Sequence, residues 1–396
     1  MPGNTDYWPI AEHGRLGQNP AVRLVDTTLR DGAQAFGVAF TTEEKCRLAR
    51  ALDTAGISEI EAGLPVADEH AADDIRALVG LGLRARLTGW CRLRAEDLKA
   101  AADCGLSAVH ISLPASQRLG AAFGHNPQWW QNQLAALLPQ ASAMFRYVSV
   151  GLQDIGGATL EEAADLALRA VAGGAHRIRL ADSNGTLTPR CVATLVSTLR
   201  RRVPGTEWGF HAHNDLGLAT ANTLAAFEAG ALHLDVTING LGERAGNARL
   251  AEVATALRVA FECDCGVNLQ ALPSLSRLAA QSLKRSLPVD MPLVGRDVFL
   301  HTSGLHCAAR MRNATVYQVC QPATVGRSEQ AWVVGVQSGR HALETVLRTA
   351  GESPSEESLA ALLPRVHELS RARKRYLHVS ELLTLYREVI EQKTVP

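Results

Sequence analysis

The sequence predicts an α/β protein built on a (β/α)8 TIM barrel, followed by a C-terminal, mostly helical second region. Three observations carry that reading. From Arg23 onward, short runs rich in Val, Ile and Leu alternate eight times with longer runs that place Ala and Leu at helical spacing. The eight units occupy roughly 240 residues, the usual length of a closed barrel. No GxGxxG follows the first strand, and no break in strand order is visible, which argues against an open doubly wound sheet.

Strands are predicted over 24–29, 59–62, 85–90, 108–113, 147–152, 177–181, 207–213 and 233–238. Each is short, apolar and bounded by polar or glycine residues. The intervening helices are predicted over 41–55, 68–79, 95–102, 127–144, 160–172, 189–202, 218–229 and 249–261. Their starts carry capping residues, with Thr159 before Glu161 and Glu162, and Thr188 before Pro189. Gly56, Gly105, Gly173 and Gly230 stand where helices end. After Phe261 the alternation stops. A different region follows, with a segment over 293–311, a strand-like run over 331–336 and a helical tail over 357–392. The expected organisation is a polar N-terminal extension (1–20), a catalytic barrel (21–265) and a C-terminal part (266–396).

Lys plus Arg (40) balance Asp plus Glu (40), so no net field is available to hold nucleic acid or an acidic membrane. Charges interrupt every apolar run, so no transmembrane segment is predicted. The first twenty residues have neither a signal-peptide nor a transit-peptide layout, and a cytoplasmic location is expected. The eight cysteines are dispersed without a CxxC pair, the pattern of reduced, buried thiols.

Catalytic groups of a barrel gather at the C-terminal ends of its strands. Strand one leads into Asp26-Thr27-Thr28-Leu29-Arg30-Asp31-Gly32, and strand seven into His211-Ala212-His213-Asn214-Asp215. His211 and His213 point the same way about 7 Å apart along a strand, so both imidazoles can converge on one cation. Asp31 can add an oxygen ligand. Two His and one carboxylate leave positions open for water or substrate and suit a divalent ion: Mn, Fe, Co or Zn, or Mg if waters complete the shell. A pair of satisfied buried histidines is the bland alternative, against which stands the polar run that follows the pair. Arg30, beside Asp31, is placed to stabilise a developing oxyanion. After strand eight, Gly240, Gly242 and Gly246 surround Arg244, a loop whose N–H groups can approach a phosphate or can simply form a tight turn. Asn247 can reach the metal or its water.

In that order and at those positions, DTTLRDG, HAHND and GLGERAGN (240–247) resemble the DRE-TIM metallolyases, specifically the Claisen-condensing 2-isopropylmalate, citramalate and homocitrate synthases. Further similarity over 80–93 and 219–225 and in the tail points, within that group, to the homocitrate synthases of nitrogen fixation. The resemblance implies an acyltransferase that condenses acetyl-CoA with 2-oxoglutarate and hydrolyses the thioester to homocitrate and CoA. The metal would be held by Asp31, His211 and His213, and Arg30 would steady the oxyanion. The resemblance assigns the general base to His306 of the SGxH segment, supplied by the neighbouring subunit of a homodimer, with Tyr317 as a weaker partner. It sets Ser183 against the substrate carboxylate. Three departures stand out. Ala33 replaces a glutamate, and Val336-Gln337-Ser338-Gly339-Arg340 replaces KHSGR, a change expected to affect packing. At the end of strand five, where relatives read GEDASR, Gln153-Asp154-Ile155-Gly156-Gly157 puts an amide for a carboxylate and drops an arginine.

A distal substrate carboxylate demands a cationic or hydrogen-bonding partner, and Arg92 after strand three is the sequence's candidate, with Gln153 also facing substrate. The rival readings are a citramalate or 2-isopropylmalate synthase using another 2-oxo acid and, in a different class, an impaired barrel retained for binding or regulation.

Overall fold

The computed structural model describes residues 21–327 and 332–394. The expected N-terminal extension, 1–20, lies outside the described residues. The chain forms two compact units, one ending at Leu287 and the other beginning at Pro288.

In the first unit eight parallel strands close in sequential order: β1 (Arg23–Asp26), β2 (Glu59–Gly63), β3 (Arg86–Arg92), β4 (Ala108–Pro114), β5 (Tyr147–Gln153), β6 (Arg177–Asp182), β7 (Glu207–Ala212) and β8 (His233–Val236). Closure is made by β1 on β8, from Arg23 opposite His233 to Asp26 opposite Val236. The helices that follow are α1 (Thr42–Thr54), α2 (Ala71–Val79), α3 (Ala95–Asp103), α4 (Gln117–Ala122), α5 (Pro127–Met144), α6 (Leu160–Ala172), α7 (Pro189–Arg202), α8 (Ala219–Glu228), α9 (Leu250–Val259) and α10 (Leu272–Ser282). Thr41 and Thr159 form full capping boxes with Glu44 and Glu162, each cap worth about 1 kcal/mol.

Two of the differences from expectation bear on the site's surroundings. The first strand ends at Asp26 rather than 29, because the N–H groups of Arg30, Asp31 and Gly32 all donate to Thr27 O and turn the chain out of the sheet. The barrel unit also runs past 265. Here α10 packs on α1, Asn239 Nδ2 donates to Ser276 O (2.9 Å), and Arg285 reaches Phe36 O (2.5 Å).

Barrel interiors are usually filled by branched apolar side chains. This one carries ion pairs. β2 reads Glu59-Ile60-Glu61, β6 Arg177-Ile178-Arg179 and β8 His233-Leu234-Asp235, and the period of two sends the charges to one face and the aliphatic residues to the other. Lower in the barrel Arg177 grips Glu59 with both terminal nitrogens (2.8 and 2.9 Å) and donates to Ser149 Oγ through Nε (2.9 Å). Two residues higher, Arg179 NH1 bridges Glu61 (2.5 Å) and Asp235 (2.7 Å). Replacing Arg177 by Met would leave Glu59 buried without its main counter-charge, which costs about 3–5 kcal/mol. Urea denaturation of Arg177→Met is expected to show that loss; a change below about 1 kcal/mol would mean the pair is dispensable.

The second unit contains α11 (Gly304–Arg312), α12 (Arg340–Thr349), α13 (Glu356–Arg373) and α14 (Val379–Thr394). Leu343, Leu347, Leu362, Val366, Leu382 and Tyr386 form its apolar core. The helical tail is broken in two, because Lys374 adopts φ 52° and Leu377 pairs with Val334 in an isolated antiparallel bridge. Of the strand-like run, Ala331 lies outside the described residues, and Trp332 and Val334 make single bridges only. Ser338 binds inside this unit, its Oγ donating to Thr302 O (2.9 Å) and accepting from Gly335 N (2.9 Å).

Candidate active site

The turn after β1 is locked before it presents anything. Asp26 Oδ1 accepts from Thr28 N (2.9 Å), and Thr28 Oγ1 accepts from Ile238 N (2.8 Å) beyond β8. Burial pushes the Asp26 carboxyl up to about 7. Arg30 and Asp31 then project over the barrel mouth. Arg30 Nε donates to Glu61 Oε2 (2.7 Å) and NH1 to Asp31 Oδ1 (2.7 Å), with the guanidinium 5.7 Å from the centre of the Trp90 ring. Burial alone would raise the Asp31 carboxyl; Arg30 first, then His211 and His213, hold it well below the carboxylate range.

His211, at the end of β7, and His213, just beyond it, face each other through their Nε2 atoms at 3.3 Å. His211 Nδ1 lies 2.9 Å from Asp235 Oδ2, so the ring donates its Nδ1 proton to that carboxylate and turns Nε2 toward His213. His213 is pushed down to about 3, by burial and then by His211, so its imidazole is neutral at physiological pH. Ligand atoms of Asp31, His211 and His213 all lie within 4.8 Å of one another. This donor set fits a divalent ion, and Asn247 supports the fit. Its Nδ2 donates to Asp31 Oδ2 (2.5 Å) and Leu241 O (2.9 Å), while its buried Oδ1 has no partner.

Of the residues singled out from the sequence, Arg30, Asp31, Gln153, Ser183, His211, His213 and Arg244 line one cavity of about 490 Å³. Ser183 Oγ accepts from Asp154 N (2.8 Å). Arg244 is tied to Asp215 (2.8 and 2.9 Å) and to Ser183 O (2.7 Å). Arg92 is not among them: it makes a two-pronged pair with Asp97 (2.9 and 2.8 Å). The glycines of the last loop also have another explanation than a phosphate cradle. The N–H groups of Gly240 and Gly246 already donate to Thr237 O and Glu243 O. A Cβ on Gly242 would stand 2.1 Å from Asn247 Nδ2, so the loop closes tightly over Asn247. His306 and Tyr317 belong to the second unit, where their rings stack at 4.1 Å. Sequence reasoning passed over Glu61, Arg179, Asp235 and Ser112, although charged or polar residues alternating with aliphatic ones on β2, β4, β6 and β8 signalled an interior polar face.

A family model described as HMGL-like matches residues 21–279, and one described as homocitrate synthase post-HMGL domain-like matches 293–374. The chain belongs to the HMGL-like, DRE-TIM family. Within it, this HMGL-like chain is 39% identical to homocitrate synthase 1 of Nostoc sp., over 93% of its own length and 97% of that protein's. It is 38% identical to the homocitrate synthase of Frankia alni, over 87% and 98% of the two chains. It is also 36% identical to 2-isopropylmalate synthase 2 of Caldanaerobacter subterraneus, over 93% and 96%. Among solved structures, the HMG-CoA lyase of Bacillus subtilis superposes with a TM-score of 0.63 at 21% identity, over 70% of this chain and 98% of the lyase. That likeness shows the barrel fold. Among the described residues no helix is long and apolar enough to cross a membrane.

Proposed function

We propose that this protein is a homocitrate synthase, an acyltransferase that condenses acetyl-CoA with 2-oxoglutarate and hydrolyses the resulting thioester to homocitrate and CoA. The observation that carries the reading is the triad of Asp31, His211 and His213 beside Arg30 in an open cavity, on a chain that matches named homocitrate synthases across nearly their whole length. A divalent ion held by the triad would withdraw electron density from a substrate ketone, worth several kcal/mol in the transition state.

The chain's own groups supply the rest. Arg30 is fixed by two carboxylates through Nε and NH1, which leaves NH2 to meet the oxygen on which negative charge develops. His306, stacked on Tyr317, takes the methyl proton of acetyl-CoA, work typically worth about 10² to 10⁴ in rate. The methyl carbon then bonds to the ketone carbon, the ketone oxygen becomes a hydroxyl, and water cleaves the thioester to release CoA. In this reading His306 is contributed by the second subunit of a homodimer, so each site draws on two chains.

A second reading has support of its own, because the 2-isopropylmalate synthase relative is 36% identical over a similar span. Free-CoA release from acetyl-CoA with 2-oxoglutarate, 2-oxoisovalerate or pyruvate, with and without divalent metal, separates the two. Metal-dependent release fastest with 2-oxoglutarate is expected; a preference for 2-oxoisovalerate or pyruvate would replace the homocitrate assignment.

A further inference from the structure

With Arg92 paired to Asp97, the cavity must meet a distal carboxylate with other groups, and β4, β5 and β6 present them. The triad comes from β7 and the turn after β1; β6 pairs with β7, Ala181 opposite His211, and β5 and β4 follow it around the closed barrel. Ser112, Gln153 and Arg179 line the cavity from those three strands. Ser112 and Arg179 are in register on either side of Gly151. A Cβ there would lie 3.2 Å from Ser112 Oγ and 2.3 Å from His110 Nε2, so a glycine keeps the floor between them open.

The other cations of the cavity are already paired. Lys45 binds Asp74, Arg244 binds Asp215, and Arg30 binds Asp31 and Glu61. Arg179 gives NH1 to Glu61 and Asp235, but its Nε, on a residue only 2% exposed, has no partner. Ser112 Oγ and the Gln153 side-chain amide make no hydrogen bond among the described residues. A hydroxyl and an amide can both donate to one carboxylate, and the Arg179 cation beside them adds attraction. An apolar substrate tail would cover the Ser112 hydroxyl and the Gln153 amide and leave both unsatisfied, the kind of mismatch by which sites reject analogues most strongly.

We infer that Ser112, Gln153 and Arg179 form the subsite that receives the distal carboxylate of a 2-oxo dicarboxylic acid, an inference that rests on the synthase reading above. It gives a physical reason for the amide at 153. A glutamate there would repel the incoming carboxylate, whereas glutamine donates to it. Arg179, flanked by two carboxylates, is only partly free to attract a third, which is why the neutral donors Ser112 and Gln153 matter.

The test compares kcat/KM for 2-oxoglutarate with that for 2-oxopentanoate, which has the same carbon chain without the second carboxylate, in metal-loaded full-length enzyme. Gln153→Glu, nearly isosteric, is expected to lower the selectivity ratio about 100-fold, and Ser112→Ala about tenfold. Calorimetric titration with 2-oxoglutarate should show the same ranking in affinity, with bound metal as in the wild type. A wild type that favours 2-oxoglutarate and variants whose ratio stays put would overturn the subsite and leave the synthase reading standing. A wild type that favours 2-oxopentanoate would overturn both.

Discussion

Purified Asp31→Asn, His211→Ala and His213→Ala are each expected to lose bound divalent metal and at least about 10³ in turnover while staying folded. The size follows from removing several kcal/mol of transition-state stabilisation, about 4 kcal/mol for each factor of 10³. Folding should survive because the three side chains sit at the barrel mouth, above the ion-paired interior and away from the aliphatic residues that seat the helices. Asp31→Asn should be the mildest for stability, since Arg30 keeps Glu61 as a partner. His211→Ala exposes Asp235, which still holds Arg179. Elemental analysis beside far-UV circular dichroism reads both halves of the expectation. Metal content equal to wild type in folded His211→Ala would refute the ligand assignment.

The barrel and the triad were both legible because each rests on a local rule. Alternation of short apolar runs with amphipathic ones marks βα units, and a His-x-His on a strand puts two rings on one face. Helix bounds such as Pro127–Met144, Leu160–Ala172 and Pro189–Arg202 fall where the sequence predicts them, because Asn126, Thr159 and Thr188 cap them. What escaped depends on contacts between distant residues. The first strand is shorter than its apolar pattern, which continues to Leu29, because backbone bonds to Thr27 O stop it at Asp26. Arg92 is apt for a carboxylate, but the nearest one is Asp97, in the first turn of α3, and it accepts from both the Arg92 side chain and its backbone N–H. The glycines around Arg244 look like a phosphate loop in sequence; their tight fit on Asn247 appears only when Asp31, more than two hundred residues earlier, is brought beside it.

His306→Ala is expected to lower turnover by about 10² to 10⁴, the contribution of a positioned base, yet to bind metal as the wild type does, since the triad lies wholly in the barrel unit. Mixing it with Asp31→Asn tests the proposed sharing of sites between subunits. If a barrel's metal and its base come from different chains, a dimer of one Asp31→Asn chain and one His306→Ala chain has one site with both groups intact and one with both damaged, as two-fold symmetry requires. Refolding equal amounts together gives about half mixed dimers by random pairing, each with one working site of two, so activity should recover to about a quarter of wild type if sites act independently. The parental variants refolded separately should stay inactive, because every dimer they form lacks the same group twice. If each chain instead supplied its own base, the mixed dimer would have one site without metal and one without His306, and nothing could be regained by mixing. Native mass spectrometry showing mixed dimers with no recovered turnover would therefore assign His306 to its own chain's site or remove it from catalysis.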